Sequence, residues 1–216
     1  MAIVQNPLIG AARQKMGGAV FTGWKGINVL KTKPLTVANP QTAGQRQQRN
    51  TLRACLDVYR LISGAINYGF KQAAVKKSEY NAFMSVNMKN AVIVTNPDNV
   101  AINPALILVS NGSLGTTTMT TVVVDESDLN VVITYPTTTP LAGQAASDIP
   151  HAVLYNSDTE QWEYLGPNAT RTAGTATFAV TIPITAADSC RVYVFFVSAD
   201  GNKSSVNTNT VAVVQA

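Results

Sequence analysis

The spacing of apolar residues changes along the chain and predicts three successive kinds of structure. Up to about residue 40, two short runs, Ala19–Thr22 and Ile27–Lys31, flank a turn, while glycines and prolines interrupt any helix. Between residues 41 and 72, apolar side chains recur at spacings of three and four, which predicts one apolar helix face made of Leu52, Leu56, Tyr59, Ile62 and Ile66. From about residue 100, short apolar runs separated by turn residues predict strands.

These patterns divide the chain into an extended basic arm (1–40), a helical basic segment (41–95) and a β-sandwich domain (100–216). The arm contains a β-ribbon with Trp24 near its tip. The first helix begins after Asn39-Pro40-Gln41-Thr42, which supplies capping chemistry. A second helix is predicted from Ser78 to Lys89, with its core-facing residues at Tyr80, Phe83, Met84 and Met88.

The strand-like runs of the last segment are Ala105–Ser110, Met119–Val124, Asn130–Tyr135, Ala152–Tyr155, Gln161–Leu165, Ala176–Ile182, Arg191–Ser198 and Thr210–Val214. The run 191–198 is apolar on both faces and is predicted to be a central strand. The stretch from Tyr193 through Asp200-Gly201 to Val211 resembles the last hairpin of a fibronectin type III or immunoglobulin-like domain. The predicted fold is therefore α+β, with an arm and ribbon, a two-helix segment and a C-terminal all-β immunoglobulin/fibronectin III-like sandwich.

Charge is sorted by position, although the 216 residues carry a net charge of only +4. Residues 1–90 contain 13 Lys/Arg and 2 Asp/Glu, whereas residues 91–216 contain 3 Lys/Arg and 10 Asp/Glu. Such asymmetry indicates two modules, one of which faces an anionic partner. The candidate partner-binding residues, for protein carboxylates or for phosphates, are Trp24, Lys25, Lys31, Lys33, Arg46, Arg49, Arg53 and Arg60.

The four arginines follow one stripe of the first predicted helix, and Asp57 is positioned to pair with Arg53. A solvated helix face is the alternative interpretation of this stripe. A third interpretation is that the acidic half of one copy docks against the basic half of another.

Residues that could support catalysis are sparse. His151 is the single histidine and is expected to be a structural or surface residue; Asp125, Glu126 and Asp128 form either a polar hairpin turn or a calcium site. Cys55 and Cys190 are expected to be buried, reduced thiols. We predict no enzyme activity, no cofactor and no metal, and no apolar run reaches the roughly 20 residues that a membrane helix needs.

Several motifs in the N-terminal part of the chain are similar to those of known proteins. Gly23-Trp24-Lys25-Gly26, followed by Lys31-Thr32-Lys33-Pro34 and by Asn39-Pro40-Gln41-Thr42 through Arg49, resembles an uncharacterised family of Bacteroidota proteins with a Gly-rich start and a β-rich end. The Asn-Pro-x-Thr-x-x-Gln-x-x-x-Arg pattern is also similar to one in small structural proteins of bacteriophages.

The resemblance and the charge pattern lead to one expectation for function. The chain is expected to be a non-enzymatic structural component of a bacteriophage virion, made in the host cytoplasm and assembled with other virion proteins and with copies of itself. The alternatives are an immunoglobulin-like surface-binding module and a non-specific DNA-binding protein that uses the basic half.

Overall fold

The chain folds as two compact units. A computed structural model describes residues 2–3, 14–34, 36, 39–138, 143–185 and 188–215, and the side chains of residues 2, 3, 16, 24, 213 and 215 lie outside that description. The N-terminal unit is Met1–Gln41 and the main unit is Thr42–Ala216. The helices and the strands after residue 100 both belong to the main unit, so the boundary expected between residues 95 and 100 falls inside it.

The N-terminal unit is a four-stranded antiparallel sheet. Its strands are β1 (Ala2–Ile3), β2 (Gln14–Met16), β3 (Ala19–Trp24) and β4 (Ile27–Thr32), in the order β1-β4-β3-β2. The predicted ribbon is confirmed as β3 and β4. Its two-residue turn has positive φ at both Lys25 (46°) and Gly26 (81°), the backbone that matches the twist of hairpin strands. The arm is thus not merely extended, because β1 and β2 flank the ribbon.

Helix α1 (Ala43–Gly69) begins with a capping box. The backbone N–H of Gln45 donates to Thr42 Oγ1, and the N–H of Thr42 donates to Gln45 Oε1. The helix bends at Ile62, whose φ of −113° and ψ of 22° are not helical. The predicted capping and helix are confirmed, with an end at Gly69 rather than residue 72.

The buried face of α1 differs from the predicted one. Ile62 and Ile66 are buried as expected, but Leu56 and Tyr59 are half-buried and Leu52 is 43% exposed. The residues that reach the core instead are Thr51, Cys55, Val58, Ala65 and Gly69. Several of these are small, and small residues allow a helix to lie close against a sheet.

Helix α2 (Glu79–Asn90) is capped by Ser78, whose Oγ accepts from the N–H of Asn81. Phe83 and Met84 are buried as predicted, and Tyr80 and Met88 are half-buried. After α2 follows a hairpin that the sequence did not predict, β5 (Val92–Asn96) and β6 (Asn99–Ile102).

Two sheets make up the rest of the main unit. Their strands are β7 (Thr121–Asp125), β8 (Asn130–Thr134), β9 (Ile149–Asn156), β10 (Gln161–Pro167), β11 (Thr175–Ala179), β12 (Cys190–Val197), β13 (Thr208–Val211) and β14 (Val213–Gln215). The inner sheet has the order β10-β9-β12-β13, and the outer sheet has the order β11-β8-β7-β14. Pairings are antiparallel except that of β14 with β7. The fold is therefore α+β and mostly β.

The inner sheet lies between the helices and the outer sheet. Along β12, Val192, Val194 and Phe196 belong to the core shared with the outer sheet. The intervening Tyr193, Phe195 and Val197 belong to the core shared with α1 and α2. Because successive side chains of a strand point to opposite faces, this strand serves both cores. The prediction of a central strand apolar on both faces is confirmed.

Two strand predictions are wrong in part. Residues 105–110 form no strand: the N–H of Leu108 donates to Asn87 Oδ1, and those of Val109 and Ser110 donate to Asn207 Oδ1. Two asparagine side chains therefore replace the neighbouring strand that this apolar segment would need. The predicted strand 210–214 is divided, because β13 pairs with β12 of the inner sheet whereas β14 pairs with β7 of the outer sheet.

Candidate partner-binding surfaces

The four arginines of α1 lie on its solvent side. At about 100° per residue, Arg49, Arg53 and Arg60 project roughly opposite the buried positions Cys55 and Val58. Those three arginines are exposed and Arg46 is half-buried. The helical stripe predicted from spacing is thus present as a continuous basic surface, named here the arginine stripe.

Part of this charge is compensated within the chain. Arg46 Nε lies 3.0 Å from Asp98 Oδ1, on the turn between β5 and β6, and Arg60 Nη1 lies 3.4 Å from Asp57 Oδ1. Asp57 therefore pairs with Arg60 and not with Arg53 as expected. Arg49 donates through Nε to the carbonyl of Gln45 at 3.4 Å, a neutral acceptor. Arg49 and Arg53 form no ion pair with a described carboxylate, so the stripe keeps a net positive charge.

The ribbon lysines form a second, separate basic surface. Lys25 occupies the turn, Lys31 lies in β4 and Lys33 follows it, and all three are exposed. Val20 pairs with Lys31 on one side and with Lys15 on the other, so the two lysines share one face of the sheet. Residues 1–41 contain five Lys/Arg and no Asp or Glu.

Among the candidate partner-binding residues, Trp24 is described by its backbone alone. Its backbone ends β3 and pairs with Ile27 across the turn. Its side chain lies outside the described part of the chain, so its role in partner binding stays a prediction.

A groove opens on the main unit between α1, β6 and the edge of the inner sheet. It encloses about 290 Å³, and its apolar wall includes Val58, Leu61, Val100, Ile102, Pro104 and Trp162. Asp57 and Glu160 supply carboxylates to the same lining. Tyr155 packs on Trp162 with ring centroids 4.4 Å apart. Tyr155 and Pro104 also line an adjoining cleft of about 140 Å³ that reaches Arg191 and Val211.

Two carboxylates of the β-rich part of the main unit hold turns in place. Asp125 Oδ1 accepts from the N–H and Oγ of Ser127 and from the N–H of Asp128, which lowers the pKa of Asp125. Asp200 accepts from Ser198 and Asn202 in the same manner, and its pKa falls to about 2. These groups stay anionic, but their lone pairs already hold turns in place. The segment 125–128 is the polar hairpin turn between β7 and β8, and the described residues contain no group of three potential metal-binding side chains.

His151 is a buried structural residue. Its Nδ1 is 2.6 Å from the Tyr164 hydroxyl, and its ring stacks on Phe195 at 5.3 Å. Burial away from water disfavours the charged imidazolium and lowers its pKa to about 4. The ring is therefore neutral at pH 7.

The two cysteines are free and buried, as the sequence predicts. Cys55 lies in the helix–sheet core and Cys190 in the core between the sheets. Burial raises the pKa of each thiol to about 11, which keeps both protonated and weakly nucleophilic.

A buried ion pair is a feature that sequence reasoning missed. Arg171 and Asp148 are both fully buried, with Arg171 Nη2 3.4 Å from Asp148 Oδ2. Arg171 Nη1 also donates to Thr117 Oγ1 at 2.6 Å, and its guanidinium lies 3.9 Å from the centre of the Phe196 ring. Nothing in the local sequence around Arg171 separates it from an exposed loop arginine.

A family model matches residues 11–211, which covers most of the N-terminal unit and nearly all of the main unit. The chain belongs to a family of unknown function (DUF6266). The expected membership of an uncharacterised family is thereby confirmed. Neither a curated protein nor a solved structure matches the chain.

The matched span contains every residue of the arginine stripe, of the ribbon and of the groove, so these surfaces lie within the family's domain. Among the described residues, no helix has the length and apolar character that crossing a membrane requires.

Proposed function

We propose that this member of DUF6266 is a non-enzymatic assembly protein, a structural component of a bacteriophage particle that binds its neighbours through basic surfaces. The observation that carries the proposal is the composition of the N-terminal unit, with five cations and no anion over residues 1–41. Contact with an anionic neighbour would stabilise a small sheet that carries only positive charges. The Asn39–Arg49 pattern, similar to phage structural proteins, supports the particle as the setting.

We also propose that the two sheets form an immunoglobulin/fibronectin III-like sandwich. The first, second and fifth strands of the sandwich, β7, β8 and β11, are neighbours in the outer sheet. The third, fourth, sixth and seventh strands make the inner sheet in the order β10-β9-β12-β13. This division of seven strands supports the likeness, since immunoglobulin-type domains split their strands between two sheets in a closely related way. In the assembly, the sandwich would be the more exposed module.

The chemistry of the partner follows from the cations. Guanidinium groups bind carboxylates and phosphates through paired N–H donors, whereas lysines act as point charges. Arg49 and Arg53 are exposed, with no ion pair to a described carboxylate. We propose protein carboxylates as the main partner, and nucleic acid as the alternative.

The first experiment asks whether the chain is in the particle and whether the ribbon holds it there. Particles purified from a host carrying the phage should contain the chain by mass spectrometry. Replacing Lys25, Lys31 and Lys33 with Gln should reduce its amount in particles. The matched control replaces Lys76, Lys77 and Lys89, three exposed lysines of the main unit, and should leave incorporation unchanged.

Three outcomes would contradict the proposal or part of it. Particles without the chain would contradict the virion role. Equal losses from both triple variants would indicate a general effect of charge and not a ribbon contact. Association that disappears on nuclease treatment would identify nucleic acid as the partner, which is expected to show a steep salt dependence.

A further inference from the structure

The groove of the main unit has the composition of a docking site for a partner that is both apolar and cationic. Its wall exposes apolar side chains of α1 and β6, among them Leu61, which is 57% exposed. Its volume of about 290 Å³ is near the lower end of the usual range for binding pockets. Burying an exposed apolar surface of this shape against a partner is energetically favourable.

Two carboxylates line the groove. Asp57 on α1 and Glu160 before β10 both line it, and Asp57 is tied only to an exposed Arg60 at 3.4 Å. Tyr155, on the groove wall, has a raised pKa because of burial first and then because of Glu160 and Asp158 nearby. A cation in the groove would lie within a lining that contains both of these carboxylates.

The tip of the ribbon has the complementary composition. Lys25 is exposed in the turn, and the adjacent Ile27 is 38% exposed at the start of β4. Lys25 lies in the two-residue turn and Ile27 directly follows it in β4, so both belong to a hairpin that is already formed before docking. The N-terminal unit contains no carboxylate that would repel the groove.

We infer that the groove binds the ribbon tip of a second copy of this chain, with Ile27 against the apolar wall and Lys25 beside Asp57 and Glu160. The inference rests on the proposed function, since it names one anionic neighbour of the basic surfaces. It makes each copy both donor and acceptor, so contacts of this kind propagate from copy to copy or close into a ring.

Self-association of the full chain, measured by sedimentation at several concentrations, tests the inference. Replacing Asp57 with Asn and Glu160 with Gln removes both groove carboxylates and should weaken self-association by about tenfold or more. The matched control, Glu126→Gln with Asp128→Asn, removes two carboxylates at the β7–β8 turn and should leave self-association unchanged. Ile27→Ala should weaken it without altering its salt dependence.

Reversing the charges of the ribbon tip in one chain and of the groove in another gives the most specific test. A chain with Lys25→Glu and a chain with Asp57→Lys and Glu160→Lys should each fail to self-associate. An equimolar mixture of the two should associate again, because the reversed tip meets the reversed groove. Circular dichroism of each variant alone establishes that it is folded.

Several results would overturn the inference. They are a wild-type chain that stays monomeric at every concentration, equal losses in the groove variant and its control, or a mixture that fails to associate although both variants are folded. A groove effect that does not depend on concentration would assign the site to the chain's own ribbon and would also overturn it. The proposed function fails separately, through absence of the chain from particles or through unchanged incorporation of the ribbon variant.

Discussion

At the scale of single residues, His151 makes stability depend on pH. Its pKa is about 4 in the folded chain and about 6.5 when unfolded. Below pH 6.5 the unfolded chain therefore binds a proton that the folded chain does not, so stability falls as pH decreases from 6.5 to 4. We expect a loss of about 2 kcal/mol between pH 7 and pH 5, measured by urea unfolding.

The variant His151→Gln should flatten that dependence, although it lowers stability at pH 7. Asp125, Asp188 and Asp200 have lowered pKa values, so their contributions are lost only at more acidic pH. Equal pH slopes between pH 5 and pH 7 in the variant and the wild type would contradict the assignment to His151.

Two glycines of α1 provide a matched pair at the same scale. A Cβ at Gly64 would lie 2.7 Å from Cδ1 of Tyr164, whose ring is held by its contact with His151, whereas a Cβ at Gly44 meets nothing within 4 Å. Gly44→Ala should stabilise the main unit by about 0.5–1 kcal/mol through helix propensity. Gly64→Ala should destabilise it by about 1–3 kcal/mol through overpacking. Stabilisation by both would mean that Tyr164 can move aside.

At the scale of elements, the segment 105–110 depends on a side chain. Asn87 is fully buried; its Nδ2 donates to the carbonyl of Leu108 at 2.9 Å, and its Oδ1 accepts from the N–H of Leu108. Asn87→Ala leaves both backbone groups of the half-buried Leu108 unpaired beside the core, which should cost about 2–4 kcal/mol. Asn90→Ala, at the exposed end of α2, is the control and should change stability little.

Amide hydrogen exchange shows which part of the main unit is destabilised by Asn87→Ala. The Leu108 amide should lose protection in Asn87→Ala beyond the loss shared by the whole unit, while amides of β12 follow global stability. A uniform loss at both places would indicate that the asparagine stabilises the core without holding this segment.

The arginine stripe is also a property of one element. Replacing Arg46, Arg49, Arg53 and Arg60 with Gln removes four charges from the solvent side of α1 and leaves its buried face intact. The fold should persist, while association with an anionic partner should weaken and its salt dependence should become shallower. An unchanged association constant and salt slope would return the stripe to a solvated helix face.

At the scale of the whole molecule, the division at Gln41 predicts that the main unit folds alone. A chain of residues 42–216 retains both cores and all of the helix–sheet contacts described above. We expect its thermal unfolding midpoint to match that of the main unit in the full chain, and its self-association to be lost. A midpoint that falls by more than a few degrees would show that the N-terminal unit contributes to the stability of the main unit.

Local signals in the sequence determined the starts of both helices, the ribbon, the central strand and the charge pattern. Thr42 and Ser78 cap their helices by accepting a hydrogen bond from a backbone N–H three residues later. Lys25-Gly26 makes a two-residue turn. The apolar residues along β12 predict a strand that is buried on both faces. Each of these signals is complete within a few residues. For the same reason, the basic stripe and the ribbon lysines could be placed on their elements before any fold was known.

Tertiary structure alone decided which of these elements meet and where a site forms. Asn207 is 97 residues from Ser110, yet it satisfies that backbone and leaves 105–110 without a strand partner. Cys55 and Val58 of α1 are buried in the core that the helix shares with the inner sheet, whereas Leu52 is exposed. The segment 208–215 forms two strands, which pair with different sheets. The groove joins Asp57 to Glu160, which are far apart in sequence. Such outcomes depend on packing between distant segments, and no window of sequence contains both partners.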